Sequence, residues 1–111
     1  MSKEASPLIG AAYDSLKIVI ERTAGQKDNF MSDAILQDAT LMRLMDAGEQ
    51  LARVRDNFLE YYEGHSSPNW DKLIGLRNII AHGYLAIDFE TIWTIITDRL
   101  PDVISELETL I

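Results

Sequence analysis

The sequence contains no cysteine, and this absence excludes several kinds of chemistry at once. Without a thiol the chain forms no disulfide, carries no thiolate nucleophile and builds no zinc site from cysteine ligands. Its two histidines, His65 and His82, are too few for a dedicated histidine-rich metal site. We therefore expect neither a bound metal nor a cofactor.

Long apolar runs are also missing from the sequence. No stretch approaches the roughly 18 apolar residues of a membrane-spanning helix, and the first residues lack the charged and then apolar pattern of a secretory signal. We therefore expect a cytoplasmic protein. The 111 residues suit one compact domain, and an apolar fraction of 47% suffices for a core without covalent cross-links.

Positive charge is scarce in this chain. Ten lysines and arginines stand against 18 acidic residues, which gives a net charge of -8. Domains that bind nucleic acid by general electrostatic attraction usually have an excess of basic residues, so the charge argues against this class. It leaves open a small local basic site, or a basic partner that covers the acidic surface.

Strand signals are almost absent, because no β-branched run alternates with period two and no Asn-Gly or Asp-Gly turn occurs. Helical spacing of apolar residues is frequent instead, and we expect Met42, Met45 and Trp93 in the core. The pattern predicts an all-α antiparallel bundle of four to five helices, with one long helix, formed by residues 1–111 as a single domain. The predicted helices run from Pro7 to Thr23, from an N-cap at Ser32 to about Tyr62, from Asn69 to Gly83, from Phe89 to Arg99, and from Pro101 to the C-terminus.

The third predicted helix contains the stretch "LRNIIAHGYL", in which polar residues interrupt an apolar pattern. On a helical wheel that starts at Trp70, Arg77 falls at about 340°, in the middle of the apolar arc. A guanidinium buried there without a partner would cost several kcal/mol. Glu49 lies within the apolar stripe of the long helix in the same way. We therefore predict that Glu49 and Arg77 face each other between the two helices.

The other polar residues of this stretch lie elsewhere on the wheel. Asn78 and His82 are four residues apart and share a side, whereas Arg77 and His82 are separated by about 140°. One straight helix therefore does not bring Arg77 and His82 together easily. Tyr84 follows Gly83, so we expect it to leave the helix and to lie near the histidine.

These residue types suit reactions at a phosphate group. A histidine transfers protons near neutral pH, and an arginine holds a phosphate through two hydrogen bonds and stabilises the charge that develops on it. Neither step needs a metal. The alternative is structural: Arg77 forms an ion pair, His82 caps the helix, and Tyr84 packs with its hydroxyl at the surface.

Arg77, His82 and Tyr84 match an R-x4-H-x-Y motif, and the chain resembles the HEPN superfamily in its HepT-like branch. The segments "GLRNIIAHGYLAID" and "IWTIITDRLPDVISELETLI" are similar to the C-terminal half of that branch, and "DAGEQLARV" is similar to its "GEA" segment. The resemblance covers nearly the whole chain. It implies an α-helical toxin of an MntA/HepT type toxin–antitoxin pair that cleaves RNA as a metal-independent endoribonuclease and acts as a homodimer.

The resemblance also implies roles for individual residues. Arg77 and His82 become the catalytic pair, and Asn78 and Glu49 become supporting residues. The implied partner is a cognate MntA-type nucleotidyltransferase, an antitoxin that neutralises the toxin by transferring AMP to Tyr84. An alternative of another class is a non-catalytic helical binding subunit of a nucleotidyltransferase complex.

Overall fold

The computed structural model describes the backbone of residues 2–111 and the side chains of residues 5–111. Within this range there is no β-strand, which confirms the all-α prediction. A short 3-10 turn, Tyr84–Ala86, lies between the fifth and sixth helices. The helices are α1 (Ser2–Thr23), α2 (Lys27–Ser32), α3 (Ala34–Asn57), α4 (Leu59–His65), α5 (Pro68–His82), α6 (Phe89–Asp98) and α7 (Leu100–Glu108).

Four of the five predicted helices correspond to α1, α5, α6 and α7, the predicted second helix is divided into α3 and α4, and the short helix α2 is additional. The predicted N-cap of the long helix is wrong by one residue. Asp33 caps α3, because its carboxylate accepts hydrogen bonds from the backbone N–H groups of Ile35 and Leu36. The Ser32 hydroxyl instead donates to the carbonyl of Asp28 in α2.

The long helix also ends earlier than predicted. Phe58 leaves the helical conformation with φ −138° and ψ 57°, so α3 stops at Asn57 and α4 begins at Leu59. Neither glycine nor proline marks this break in the sequence. The change of direction places Tyr62 edge-on against Trp70, with 5.6 Å between the ring centroids.

Helix α3 lies at the centre of the bundle, with α1 and α5 packed against it. Trp70 at the start of α5 is fully buried, and its indole Nε1 donates to Glu106 Oε1 in α7 at 3.0 Å. Ser67, the N-cap of α5, donates to the same oxygen at 2.8 Å. The N-terminal end of α5 is therefore held firmly, which fixes the direction in which its later residues emerge.

Contacts between α3 and α5 show that the two helices are antiparallel. Arg77 on α5 bonds Glu49, and further along the chain Tyr84 bonds Asp38, which comes earlier in α3. The helices approach closely at Gly48. A Cβ at Gly48 would lie 2.5 Å from Arg77 Cβ and 2.7 Å from the backbone oxygen of Leu73. Only a glycine fits this spacing without a shift of one helix.

In residues 2–111, no helix is both long enough and apolar enough to cross a bilayer.

Candidate active site

The predicted contact between Glu49 and Arg77 is present in the structure. Arg77 Nη2 donates to Glu49 Oε1, and Arg53 Nε donates to Glu49 Oε2 at 3.2 Å. The side chains of Glu49 and Arg77 are each 33% exposed. The guanidinium therefore emerges from between α3 and α5 at the edge of the core, where its charge is both paired and open to a ligand.

Asn78 holds the other arm of the same guanidinium. Arg77 Nη1 donates to Asn78 Oδ1 at 2.7 Å, so the two terminal nitrogens of Arg77 have separate partners. A guanidinium has five N–H donors. The donors that these two bonds leave free suit a phosphate, whose oxygens accept several hydrogen bonds at once. Glu49 and Asn78 thus orient Arg77 without saturating it.

His82 is the last residue of α5, and its side chain is exposed. Gly83 ends the helix as predicted, with its N–H donating to the carbonyl of Ile79 at 2.7 Å. Because α5 is continuous up to His82, Arg77 and His82 are separated by about 140° around its axis. In the part of the chain with described side chains, no hydrogen bond or ion pair joins them. One copy of the chain therefore does not bring the two residues together.

Tyr84 leaves the helix, as the sequence predicts, and begins the 3-10 turn. Its ring is about half exposed, and its hydroxyl donates to Asp38 Oδ1 on α3. This hydrogen bond, together with partial desolvation and the negative charge of Asp38, raises the pKa of the Tyr84 hydroxyl above its ordinary value. The phenol therefore holds its proton firmly at neutral pH.

Sequence reasoning missed Asp38. Asp38 and Glu49 are eleven residues apart, which places them within about 20° of each other on α3. The position of Asp38 on the same helix face as Glu49 was the sequence feature that could have pointed to it. That Tyr84 reaches Asp38 is shown only by the antiparallel packing of α5. Met42 lies on the same face and is 64% exposed, so its prediction as a core residue is wrong. Met45 and Trp93 are partly buried against the core.

Comparison with known proteins gives one family match over most of the chain. The family model described as "Ribonuclease HepT-like" covers residues 12–110. No solved structure matches the chain.

Several curated proteins are similar to this chain over nearly its full length. "Putative RNase MJ1380" of Methanocaldococcus jannaschii is 31% identical over 98 residues, which cover 86% of this chain and 85% of that protein. "Putative RNase MJ0127" of the same organism is 28% identical over 110 residues, 98% of this chain and 88% of the relative. "Putative RNase TTE0752" of Caldanaerobacter subterraneus subsp. tengcongensis is 24% identical over 110 residues, 98% and 96% of the two chains.

Proposed function

Because the chain belongs to the HepT-like ribonuclease family, we propose that it is a metal-independent endoribonuclease and the toxin of a toxin–antitoxin pair. The names of its relatives support the ribonuclease activity. One observation carries the proposal for the site: Arg77 is oriented by Glu49 and Asn78, with donors left free, on the helix that ends at an exposed histidine.

The proposed reaction is an attack by an RNA 2′-hydroxyl on the adjacent phosphorus. The bond from O2′ to phosphorus forms, the bond from phosphorus to O5′ breaks, and the products end in a 2′,3′-cyclic phosphate and a 5′-hydroxyl. His82 takes the proton of the 2′-hydroxyl or gives one to the leaving oxygen. Arg77 stabilises the additional negative charge on the phosphoryl oxygens in the transition state.

We further propose that the active form is a homodimer with one cleft built from two copies of α5. The separation of Arg77 and His82 around one helix supports this, because a two-fold axis would bring Arg77 of one copy near His82 of the other. Exposed apolar residues on α3 support it as well. Ile35 is 81% exposed and Met42 is 64% exposed, and both share the helix face of Asp38 and Glu49. A chain that stays monomeric at micromolar concentration would contradict the dimer.

The proposed reaction makes the 2′-hydroxyl essential and a metal ion unnecessary, so both are tested directly. We expect the purified protein to cleave total bacterial RNA in excess EDTA and to leave 2′,3′-cyclic phosphate and 5′-hydroxyl ends. An oligonucleotide with a 2′-deoxy sugar at the cleavage position should stay intact. Cleavage that stops in EDTA would rule out the metal-independent mechanism. Intact RNA with a soluble, folded protein would favour the non-catalytic binding subunit instead.

Neutralisation by a cognate MntA-type nucleotidyltransferase is the second part of the proposal. The Tyr84 oxygen attacks the α-phosphorus of ATP, the new O–P bond forms, and pyrophosphate leaves. Asp38 is placed to take the phenolic proton, since its carboxylate already accepts the hydrogen bond from the hydroxyl. The raised pKa of Tyr84 makes such a base useful, because little phenolate exists without one. The attached AMP then blocks RNA by its size and repels it by its charge.

Variants of Tyr84 and Asp38 separate RNA cleavage from AMP transfer. We expect Tyr84→Phe to cleave RNA at nearly the wild-type rate and to take up no AMP. We expect Asp38→Asn to keep its cleavage activity but to accept AMP about 10²-fold more slowly, because it has lost the proton acceptor. Intact-mass spectrometry during incubation with the transferase and ATP measures the modification.

The matched control is Asp56→Asn, which removes an exposed carboxylate at the far end of α3. It should be modified as rapidly as the wild type. A Tyr84→Phe protein that the transferase still silences completely would show that Tyr84 is not the main acceptor. Modification of Asp38→Asn at the wild-type rate would remove Asp38 from the mechanism.

A further inference from the structure

An apolar groove runs between α5 and α6. Its volume is about 530 Å³, which lies in the range of ligand and peptide-binding clefts. Ile79 lines the groove and is 58% exposed. On the helical wheel it lies about 160° from Arg77, so the groove is separate from the candidate active site. Its apolar lining residues include Leu73, Leu76, Ile79, Ile92, Ile95 and Val103.

Two cationic side chains line this groove, and neither belongs to an ion pair of the described part of the fold. Lys72 on α5 and Arg99 after α6 both belong to the lining, and neither forms an ion pair with any described carboxylate. Asp88 is also in the lining, but its carboxylate caps α6 by accepting from the backbone N–H of Glu90 and from the Thr91 hydroxyl. In a chain of net charge -8, this groove combines an apolar floor with unpaired positive charge.

The groove is continuous with the segment that carries Tyr84. Ala86 and Ile87, two and three residues after Tyr84, belong to its lining. Leu85, next to Ala86 in the chain, is 98% exposed, so its side chain is accessible to a partner that docks here. A protein that occupies the groove would therefore contact the chain two residues after Tyr84.

We propose that this groove docks the nucleotidyltransferase that modifies Tyr84, through a segment of that enzyme with apolar side chains on one face and acidic residues beside them. The inference rests on the proposed function. Docking beside the acceptor raises the effective concentration of Tyr84 at the transferase active site. The acidic segment pairs with Lys72 and Arg99, while its apolar side chains cover Ile79 and Leu85.

Two other occupants fit this groove less well. In a two-fold pair of this chain through the groove, Lys72 and Arg99 of both copies would converge on the same interface, where like charges repel. RNA would match the two cations but not the apolar floor, because its binding is dominated by its phosphates and by stacking on aromatic rings. The groove lining contains no aromatic residue.

The test compares two double variants that change the net charge equally. Lys72→Glu/Arg99→Glu reverses the groove cations, and Lys17→Glu/Arg22→Glu reverses two cations of α1 that form no ion pair with a described carboxylate. Each protein is incubated with ATP and increasing concentrations of a purified MntA-type nucleotidyltransferase that modifies the wild-type protein. AMP incorporation is followed by intact mass, and RNA cleavage is measured without the transferase.

We expect the groove variant to need about tenfold or more transferase for half-maximal modification, with a nearly unchanged rate at saturation, because only docking is weakened. Ile79→Ser should shift the same concentration in the same direction through the apolar floor. The α1 variant should be modified like the wild type, and the two double variants, whose net charge is the same, should cleave RNA at equal rates.

Three other results would overturn the proposal, and they differ in what else they affect. Equal modification of the groove variant and the wild type would remove the docking site but leave neutralisation of the toxin by AMP transfer intact. A wild-type protein that accepts no AMP would remove both the proposed neutralisation and the docking site. Loss of RNA cleavage in the groove variant alone would assign Lys72 and Arg99 to RNA binding instead.

Discussion

Replacement of His82 by alanine is expected to lower the rate of RNA cleavage by about 10²–10⁴-fold, the usual contribution of a positioned acid or base. The fold should not change, because the exposed His82 ring forms no hydrogen bond or ion pair with the rest of residues 5–111. We therefore expect a change in the free energy of unfolding within about 0.5 kcal/mol. Single-turnover cleavage and thermal unfolding by circular dichroism measure the two quantities.

The other histidine of the chain, His65, provides the matched control. His65 ends α4, where its Nδ1 hydrogen-bonds the carbonyl of Tyr61 at 2.8 Å and its ring stacks on Tyr61 with 4.1 Å between centroids. His65→Ala should lose some stability through these contacts and keep full cleavage activity. The two variants thus have opposite expected profiles. A His82→Ala protein that cleaves RNA at the wild-type rate would exclude His82 as the acid or base.

Expression in bacteria extends the same comparison to cells. Induced wild-type protein without the antitoxin should arrest growth and fragment total RNA, whereas induced His82→Ala should do neither. The acidic surface of the chain opposes RNA binding, with a net charge of -8, so activity has to depend on a few well-placed cations such as Arg77. An arrest that persists in His82→Ala would indicate toxicity unrelated to RNA cleavage.

The helical class was predictable because a repeat of 3.6 residues is visible over long segments such as α1, α3 and α5. The short helix α2 was not predictable, since six residues contain too few turns for a periodic pattern. The first half of α4 was predicted as helix, but as a continuation of the long helix. No glycine or proline marks the break at Phe58 in the sequence. There the side chain packs against the core, and tertiary packing outweighs the local helical preference.

At the candidate site, the helical wheel predicted one of the two observed partners of Arg77. Glu49 and Arg77 each carry a charge in an apolar stripe, so each needed a partner, and they contact each other. Asp38 and Gly48 depend on how α3 and α5 are aligned, which the pattern of either helix alone does not contain. The exposure of Met42 has the same origin. Its place on one face of α3 was identified correctly, but the pattern does not show whether another helix covers that face.

Gly48→Ala is expected to have the second large effect, through the position of Arg77. The new Cβ would lie 2.5 Å from Arg77 Cβ and 2.7 Å from the Leu73 oxygen, so α5 must move away from α3. Overpacking of this kind costs about 1–3 kcal/mol, which outweighs the gain of roughly 0.5–1 kcal/mol that alanine brings within a helix. The displaced guanidinium then loses its bond to Glu49, and RNA cleavage falls with it.

Gly75→Ala is the control for this substitution, since Gly75 lies on α5, two residues before Arg77, and a Cβ there meets no atom within 4 Å. It should raise the thermal unfolding temperature and leave cleavage unchanged.

Glu49→Gln provides the second comparison, because it weakens the hold on Arg77 without moving a helix. If Gly48 acts through Arg77, then adding Gly48→Ala to Glu49→Gln should lower the cleavage rate less than Gly48→Ala does alone, while its stability cost stays the same. Equal rate losses in both backgrounds would mean that Gly48 serves the fold only, and wild-type stability of Gly48→Ala would show that α3 and α5 separate without cost.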